Sequence, residues 1–295
     1  MDISCFMFSG RGKFSLGGFP TKSQKSKEDK EIRSLNEKNK EALASYQSKL
    51  YAEGKQALLI ILQAMDGAGK DSTISHVMSG INPQGVDVYS FKQPSADELS
   101  RDYLWRASKV VPARGKIAIF NRSYYEDVLV VKVHELYRSL RIIDRCKSPD
   151  TISKRYKHIK NFEEYLWDNG VQIVKLFLNM SKEVQLGRFE KRLKRPDKNW
   201  KFSESDMVER QYWDAYQMAY EEAILKTSTK NAPWYIVPAD QKWYTRAVVS
   251  QILLKTLSEM NPEYPPPTEN QKLFIKKMES YDGLAEYEKK HYAKE

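Results

Sequence analysis

Short apolar runs recur along the middle of the chain, at Ala57–Gln63, Val86–Phe91, Lys116–Phe120, Val171–Leu178 and Trp234–Val237, and each has strand length. Helical periodicity fills nearly every interval between them. Runs such as LLIIL at 58–62 are apolar at every position, which suits a parallel sheet covered on both faces. Right-handed crossovers then give a three-layer α/β/α fold around a five-stranded parallel sheet. A long helical excursion, about 182–226, separates the fourth and fifth strands. Upstream, Ile32, Leu35, Leu43, Tyr46 and Leu50 form a narrow stripe among charges, predicting an amphipathic helix from about Glu28 to Glu53. It packs either on its own domain or on another subunit. Residues 1–26 are rich in Gly, Ser and Lys and are expected to be ordered only where they dock. The expected divisions are an N-terminal arm over 1–55, the α/β domain over 56–260 and a C-terminal arm over 261–295, which opens on the Pro-rich PEYPPP.

The sharpest chemical signal follows the first strand. AMDGAGKDS, residues 64–72, runs from that strand into a helix with Ile74, Val77 and Met78 on one side. This is the strand–loop–helix context of a phosphate-binding loop. Gly67, Ala68 and Gly69 are small enough for backbone N–H groups to close around phosphate oxygens, continued by Asp71 and Ser72 in the first helical turn. Lys70 would place its ammonium on the transferred phosphate. The match is imperfect: Ala64 replaces the first Gly, and Asp71 replaces the usual hydroxyl ligand of Mg²⁺. The carboxylate of Asp66 would repel phosphate unless a metal or a proton intervenes, which makes it a candidate metal ligand or base.

Three further segments stand at the carboxyl ends of strands or beyond them, where open α/β sheets bind ligands. FKQPS (91–95) offers Lys92 to a phosphate and Pro94 to stiffen the turn. NRSYYED (121–127) offers Arg122, whose planar fork can hold two phosphates, and the carboxylates of Glu126 and Asp127, which could bind Mg²⁺ or simply open a helix. In the helical excursion, GRFEKRLKRPDKNWK (187–201) has seven Lys or Arg in fifteen residues. Leu186, Phe189 and Leu193 are expected as an apolar seam. Arg188, Arg192 and Arg195 are expected on another face, where their mutual repulsion makes sense if an anion neutralises them. With Lys198 they suggest a basic lid over about 182–207. Ser203 and Asp206 read as a capping box opening one helix through Tyr212, Tyr216 and Ala223. The aromatic residues of that helix are expected in the core. His76, His134, His158 and His291 show no ligand spacing.

Composition narrows the field further. The 295 residues carry 49 Lys+Arg against 39 Asp+Glu, a net charge of +10 that calls for a polyanionic partner. Cys5 and Cys146 stand far apart without a C-x-x-C, which supports neither a disulfide framework nor a zinc site. No apolar run reaches membrane-spanning length, and the N-terminus lacks a secretory core. A cytoplasmic protein without membrane association is expected.

The ordered set of motifs resembles the polyphosphate kinase type-2 family. DGAGKD (66–71) resembles its phosphate loop, NPQGVDVYSFKQPS (82–95) its second segment, PARGKIAIFNRSYYEDVLV (112–130) its third and RLKRPDKNWK (192–201) its lid. The resemblance spans roughly residues 12–260. It implies a thymidylate-kinase-like P-loop fold and Mg²⁺-dependent, reversible phosphoryl transfer between inorganic polyphosphate and nucleotides, ADP/ATP or GDP/GTP. By resemblance Asp66, Lys70, Asn121 and Arg122 are catalytic. Lys92, Pro94 and Asp127 are assigned to the nucleotide, and Asp66 with Asp127 to Mg²⁺. Members often have Asp where Asn121 stands, which bears on metal binding and on the accepted nucleotide. Whether a diphosphate or a monophosphate is accepted stays open. A homo-oligomer, dimer or tetramer, is expected. An ATP-dependent nucleoside monophosphate kinase explains the loop and the lid but not Asp66. A nucleic-acid-binding protein explains the charge but not the order of the motifs.

Overall fold

A computed structural model describes residues 1–24, 30–148 and 150–292. The start of the predicted amphipathic stretch therefore lies outside the described residues. Strands β1 (Met7–Phe8), β2 (Ala57–Gln63), β3 (Val86–Ser90), β4 (Ile117–Asn121), β5 (Val171–Asn179) and β6 (Trp234–Pro238) form one sheet in the order β1-β6-β5-β2-β4-β3. The main helices are α1 (Lys30–Glu53), α2 (Lys70–Val77), α3 (Asp150–Asp168), α4 (Lys182–Leu193), α5 (Glu204–Gln211), α6 (Trp213–Thr227), α7 (Lys242–Met260), α8 (Glu269–Met278) and α9 (Leu284–Tyr292).

Five strands are parallel, as the apolar runs predict. The sixth corrects the five-stranded expectation. Met7 and Phe8 pair antiparallel with Tyr235 and Trp234, and Phe8 is buried in the core, so the N-terminal segment closes the sheet edge beside β6. An edge strand left open would expose unpaired N–H and C=O groups.

All seven residues of β2 are buried, because its alternate side chains face two different cores. Leu59 and Ile61 join Phe120, Ile173, Phe177 and Ile236 under α3 and α6, with Ile159, Tyr220 and Ile224 as the helical side. Leu58, Ile60 and Leu62 join Ile119, Leu176 and Val237 under α1, α2 and α7, with Leu43, Leu50, Val77 and Ile252 opposite. Leu43 and Leu50 are thus core residues of their own chain, and Asn39 Nδ2 donates 3.0 Å to Ser250 Oγ on α7. Gly85 permits the approach of α1: a Cβ there would lie 1.8 Å from Gln47 Nε2. The compact unit accordingly runs Met1–Pro262, and residues 1–55 belong to it rather than forming a separate arm. The remainder, Glu263–Glu295, is a unit of its own in which Tyr287 packs on Phe274, Tyr281 and His291. No described helix is long and apolar enough to cross a membrane.

A buried polar network crosses the α3/α6 layer. Lys175, in the middle of β5, has no solvent exposure, and its Nζ donates 2.6 Å to Glu163 Oε2 and 2.8 Å to Thr227 O. Glu163 Oε1 accepts from Tyr124 Oη at 3.0 Å and Tyr125 Oη at 2.8 Å. Trp234 Nε1 donates to Thr227 Oγ1 at 3.0 Å. Burial pushes the Lys175 ammonium down, against the pull of Glu163.

Breaking a buried pair from one side strands a charge, which typically costs about 3–5 kcal/mol. Lys175→Met or Glu163→Leu alone should therefore lower stability by about that amount in denaturant melts, and the double variant should recover part of the loss. Single variants within about 1 kcal/mol of wild type would show that the pair holds nothing in place.

Candidate active site

The loop between β2 and α2 is shaped by two glycines and one arginine. Gly67 and Gly69 have φ of +83° and +102°, the left-handed region that a side chain strains. A Cβ on Gly67 would also press to 3.0 Å from the Phe189 ring. No side chain caps the start of α2, so the first-turn N–H groups of residues 70–72 are left without an acceptor within the helix. Ser72 Oγ donates back to Gly69 O at 3.0 Å. The carbonyls turn the other way, into Arg188 on α4. Its guanidinium donates to Gly67 O (2.9 Å), Ala68 O (2.7 Å), Ala239 O (2.6 Å) and Asp240 O (3.0 Å). Arg188 therefore clamps the loop from behind through its carbonyls.

Two cations meet the carboxylate within the loop. Arg122 Nη2 donates to Asp66 Oδ1 at 2.6 Å. Lys70 Nζ lies 3.7 Å from the same oxygen and donates to Ala64 O at 2.9 Å. Burial pushes Asp66 up, but Lys70 and Arg122 together bring its carboxyl below the usual range. Burial likewise pushes Lys70 down, with Asp66 pulling the other way. Arg122 itself sits at φ +63°, and its N–H donates to Leu62 O at 3.0 Å, tying the end of β4 to β2. Its other nitrogen stands 3.8 Å from Glu126 Oε2, and burial raises the Glu126 carboxyl despite Arg122.

Beyond the ion pair, Asn121 Nδ2 donates to Asp71 Oδ1 at 2.9 Å while Lys201 Nζ donates to Asp71 Oδ2 at 3.2 Å. Asn121 Oδ1 is buried without a hydrogen-bond partner, as are both amide atoms of Gln63 at the end of β2.

Asp127 and Glu126 leave the same turn in different directions. The segment Tyr124–Asp127 is a single 3-10 turn, in which successive side chains point about 120° apart. Glu126 returns toward Arg122, while Asp127 goes to Arg155 on α3, whose Nη1 donates to Asp127 O (2.8 Å) and Oδ1 (3.2 Å). Arg106 adds its charge there, and its Nη1 donates to Lys92 O at 2.9 Å. Asp127 thus shares the neighbourhood of the loop carrying Lys92 and Pro94, while Asp66 is engaged by Arg122 and Lys70. The carboxylate facing Asp66 across Arg122 is Glu126. Among the described residues no three His, Cys, Asp or Glu side chains converge as a metal site.

The basic segment is less uniform than its spacing suggests. Only Phe189 of the expected apolar seam is buried; Leu186 and Leu193 are exposed. Arg192 stacks over Phe189 and donates to Asp206 Oδ2 at 2.9 Å. That engagement takes Asp206 out of the expected capping box, where Ser203 Oγ accepts from Ser205 N instead. The single helix expected from there is broken at Tyr212, a kink that lets Trp213 and Tyr216 enter the core. Arg195 lies past the end of α4 in an exposed fork with Asp197, and Lys198 is half-buried in the following turn. Lys242, which opens α7, lies beside the same loop and was not singled out from the sequence. Its Cε comes within 4.0 Å of a Cβ built on Gly69, and burial together with Arg188, Lys198, Arg246 and Arg192 pushes its ammonium down. Its position just after β6, at the carboxyl edge of the sheet, was the available signal.

A Gly-rich strand-to-helix loop whose carboxylate meets Lys70 and Arg122, at the carboxyl edge of a parallel sheet, has the form of a P-loop phosphotransferase. The chain belongs to the polyphosphate kinase 2 family, whose sequence profile matches residues 24–265. It is 48% identical over 259 residues to an ADP-polyphosphate phosphotransferase of Rhodopseudomonas palustris, covering 87% of this chain and 90% of that one. It is also 48% identical over 235 residues to an AMP/ADP-polyphosphate phosphotransferase of Meiothermus ruber, covering 79% and 84%. The crystal structure of polyphosphate kinase 2 from Arthrobacter aurescens superposes with a TM-score of 0.83 at 39% identity, over 93% of this chain and 96% of that one.

Burial pushes the Asp127 carboxyl from its ordinary 3.8 up to about 6, with Arg155 opposing. A raised folded value means that the native state binds this proton more tightly than the unfolded chain does. Its contribution is full below the unfolded value and is lost as pH rises from about 4 to about 6. Asp127→Asn lacks this slope. Denaturant melts across that window should show wild type losing on the order of 2–3 kcal/mol relative to the variant. A constant difference across the window would contradict the assignment.

Proposed function

We propose that this enzyme carries the terminal phosphoryl group of inorganic polyphosphate to a nucleoside diphosphate, and back, at the Asp66–Lys70–Arg122 site. One observation carries the reading: a carboxylate inside a loop with uncapped amides is matched by two cations, with Arg192, Lys198, Lys201 and Lys242 extending the positive field beyond it. Such a surface suits a long chain of phosphates better than a single triphosphate tail. The relatives are named for polyphosphate and for ADP or AMP, which supports nucleotide as the second substrate. Neither the ATP-dependent monophosphate kinase nor the nucleic-acid-binding reading finds support among them.

Transfer breaks the bond between the terminal phosphorus and its bridging oxygen and forms one to the β-phosphate oxygen of the acceptor. The chain shortens by one unit. The work left to the protein is alignment and charge neutralisation. The amides of residues 69–72 and Lys70 hold the phosphoryl group in transit. Arg122 spans the incoming and departing phosphates, and Arg192 backs it. Lys92 and Pro94, with Asp127 and Arg106 behind them, form the nucleotide side.

Mg²⁺ is the proposed metal. Asp66 can offer a carboxylate oxygen and Asn121 its buried, partnerless Oδ1, hard donors that suit a cation taking most of its ligands from phosphate and water. Bound there, Mg²⁺ would withdraw charge from the phosphate oxygens. Glu126, raised by burial, is the third oxygen group of this corner. The neutral amide of Asn121 in place of a second full charge leaves Asp66 as the principal ligand.

The test is an assay with ADP, Mg²⁺ and long-chain polyphosphate, which should yield ATP, set beside AMP with ATP and no polyphosphate, which should yield little ADP. Lys70→Ala should lower turnover by about 10²-fold or more, since it deletes a transition-state charge contact, while its melting curve stays near wild type. ADP formed from ATP and AMP as fast as ATP from polyphosphate would overturn the donor assignment.

A further inference from the structure

On the outer face of the α3/α6 layer, Ser153, Tyr156, Lys157, Lys160, Asn161, Glu164 and Lys226 line a cleft of about 410 Å³. None of them belongs to the transfer site. Ser153, Lys157, Lys160 and Glu164 fall at i, i+4, i+7 and i+11 along α3, one stripe of the helix, and Lys226 adds a third ammonium from α6. The three lysines are exposed, and among the described residues none is held by a carboxylate. Like charges one turn apart repel, and the field of Lys160 also reaches the buried Lys175.

At the floor lies a second, independent signal. Tyr156 is 3% exposed, and its hydroxyl is screened from water without any hydrogen-bond partner. A buried donor left unmade costs about 1–3 kcal/mol. Burial and then Glu222 raise its pKa, so the hydroxyl keeps its proton and can only gain by meeting an acceptor.

We propose that this cleft is a second docking site for inorganic polyphosphate, holding a stretch of the chain remote from the transferred end. The inference rests on polyphosphate being the donor. Three ammonium point charges against one carboxylate, with a hydroxyl and an amide between them, match the oxygens of a linear phosphate chain. The cleft has no exposed ring on which a base could stack, which favours the inorganic chain over nucleotide or nucleic acid. Docking a remote stretch keeps the polymer on the enzyme between transfers and raises the local concentration of its reacting end.

Calorimetric titration of the full-length protein with tripolyphosphate tests this, using Lys70→Ala, the triple variant Lys157→Gln/Lys160→Gln/Lys226→Gln, and Tyr156→Phe. Lys70→Ala should retain a binding event that the triple variant lacks and that Tyr156→Phe weakens without loss of melting temperature. The triple variant should keep its kcat with short chains. Its KM for long-chain polyphosphate should rise several-fold, and the log–log salt slope should flatten by up to about 2. Wild-type stoichiometry and an unchanged long-chain KM in the triple variant would overturn the proposal. So would orthophosphate or a short DNA strand filling the cleft as tightly as tripolyphosphate at the same salt. If wild type made no ATP from polyphosphate, the donor assignment would fall; the tripolyphosphate titration would still report on the cleft.

Discussion

Placing a carboxylate inside a loop built to bind phosphate is self-defeating unless a cation is delivered to it, and the bond from Arg122 to Asp66 at 2.6 Å is that delivery. Unpaired, Asp66 would repel the ligand that the loop amides attract. Paired with Arg122 and flanked by Lys70, it becomes a fixed partner that aims both cations at the same spot. One carboxylate and two cationic groups then form a corner with one positive charge in excess, which favours an anion.

Arg122 reaches that corner only because the end of β4 is held rigidly. Its own backbone is left-handed, a conformation that costs about 1 kcal/mol or more for a residue with a side chain. The cost is offset on both sides. Before it, the N–H of Arg122 bonds to Leu62 of β2. After it, Ser123 caps the 3-10 turn, and Tyr124 and Tyr125 plunge into the core to meet Glu163. Glu163 is held in turn by Lys175 of the central sheet. A buried ion pair thus anchors the turn that follows Arg122. The same turn sends Glu126 toward Arg122 and Asp127 toward Arg155.

Much of this was legible in the sequence. The five parallel strands follow from runs that are apolar at every position, and the loop from glycines set between a strand and a helix. What escaped prediction depended on three-dimensional partners. Met7 and Phe8 are too few to read as a strand until β6 offers an edge. The tyrosines of NRSYYED are core, and their partners Glu163 and Lys175 lie far off in the chain. Glu126 and Asp127 cannot be told apart by spacing when the turn is 3-10 rather than α-helical. Arg188, grouped by helical periodicity with Arg192 and Arg195, serves the backbone carbonyls of the loop. Lys242 stands alone in sequence and gains meaning only beside Gly69.

The site depends on the coupling of Arg122 to Asp66. A double-mutant cycle of wild type, Asp66→Asn, Arg122→Gln and the double variant, read as affinity for tripolyphosphate, measures it directly. Removing Arg122 should cost about tenfold or more beyond what the same change costs in the Asp66→Asn background, a coupling of roughly 1.4 kcal/mol or above. Equal losses in the two backgrounds would show that the arginine binds phosphate independently and that the ion pair organises nothing.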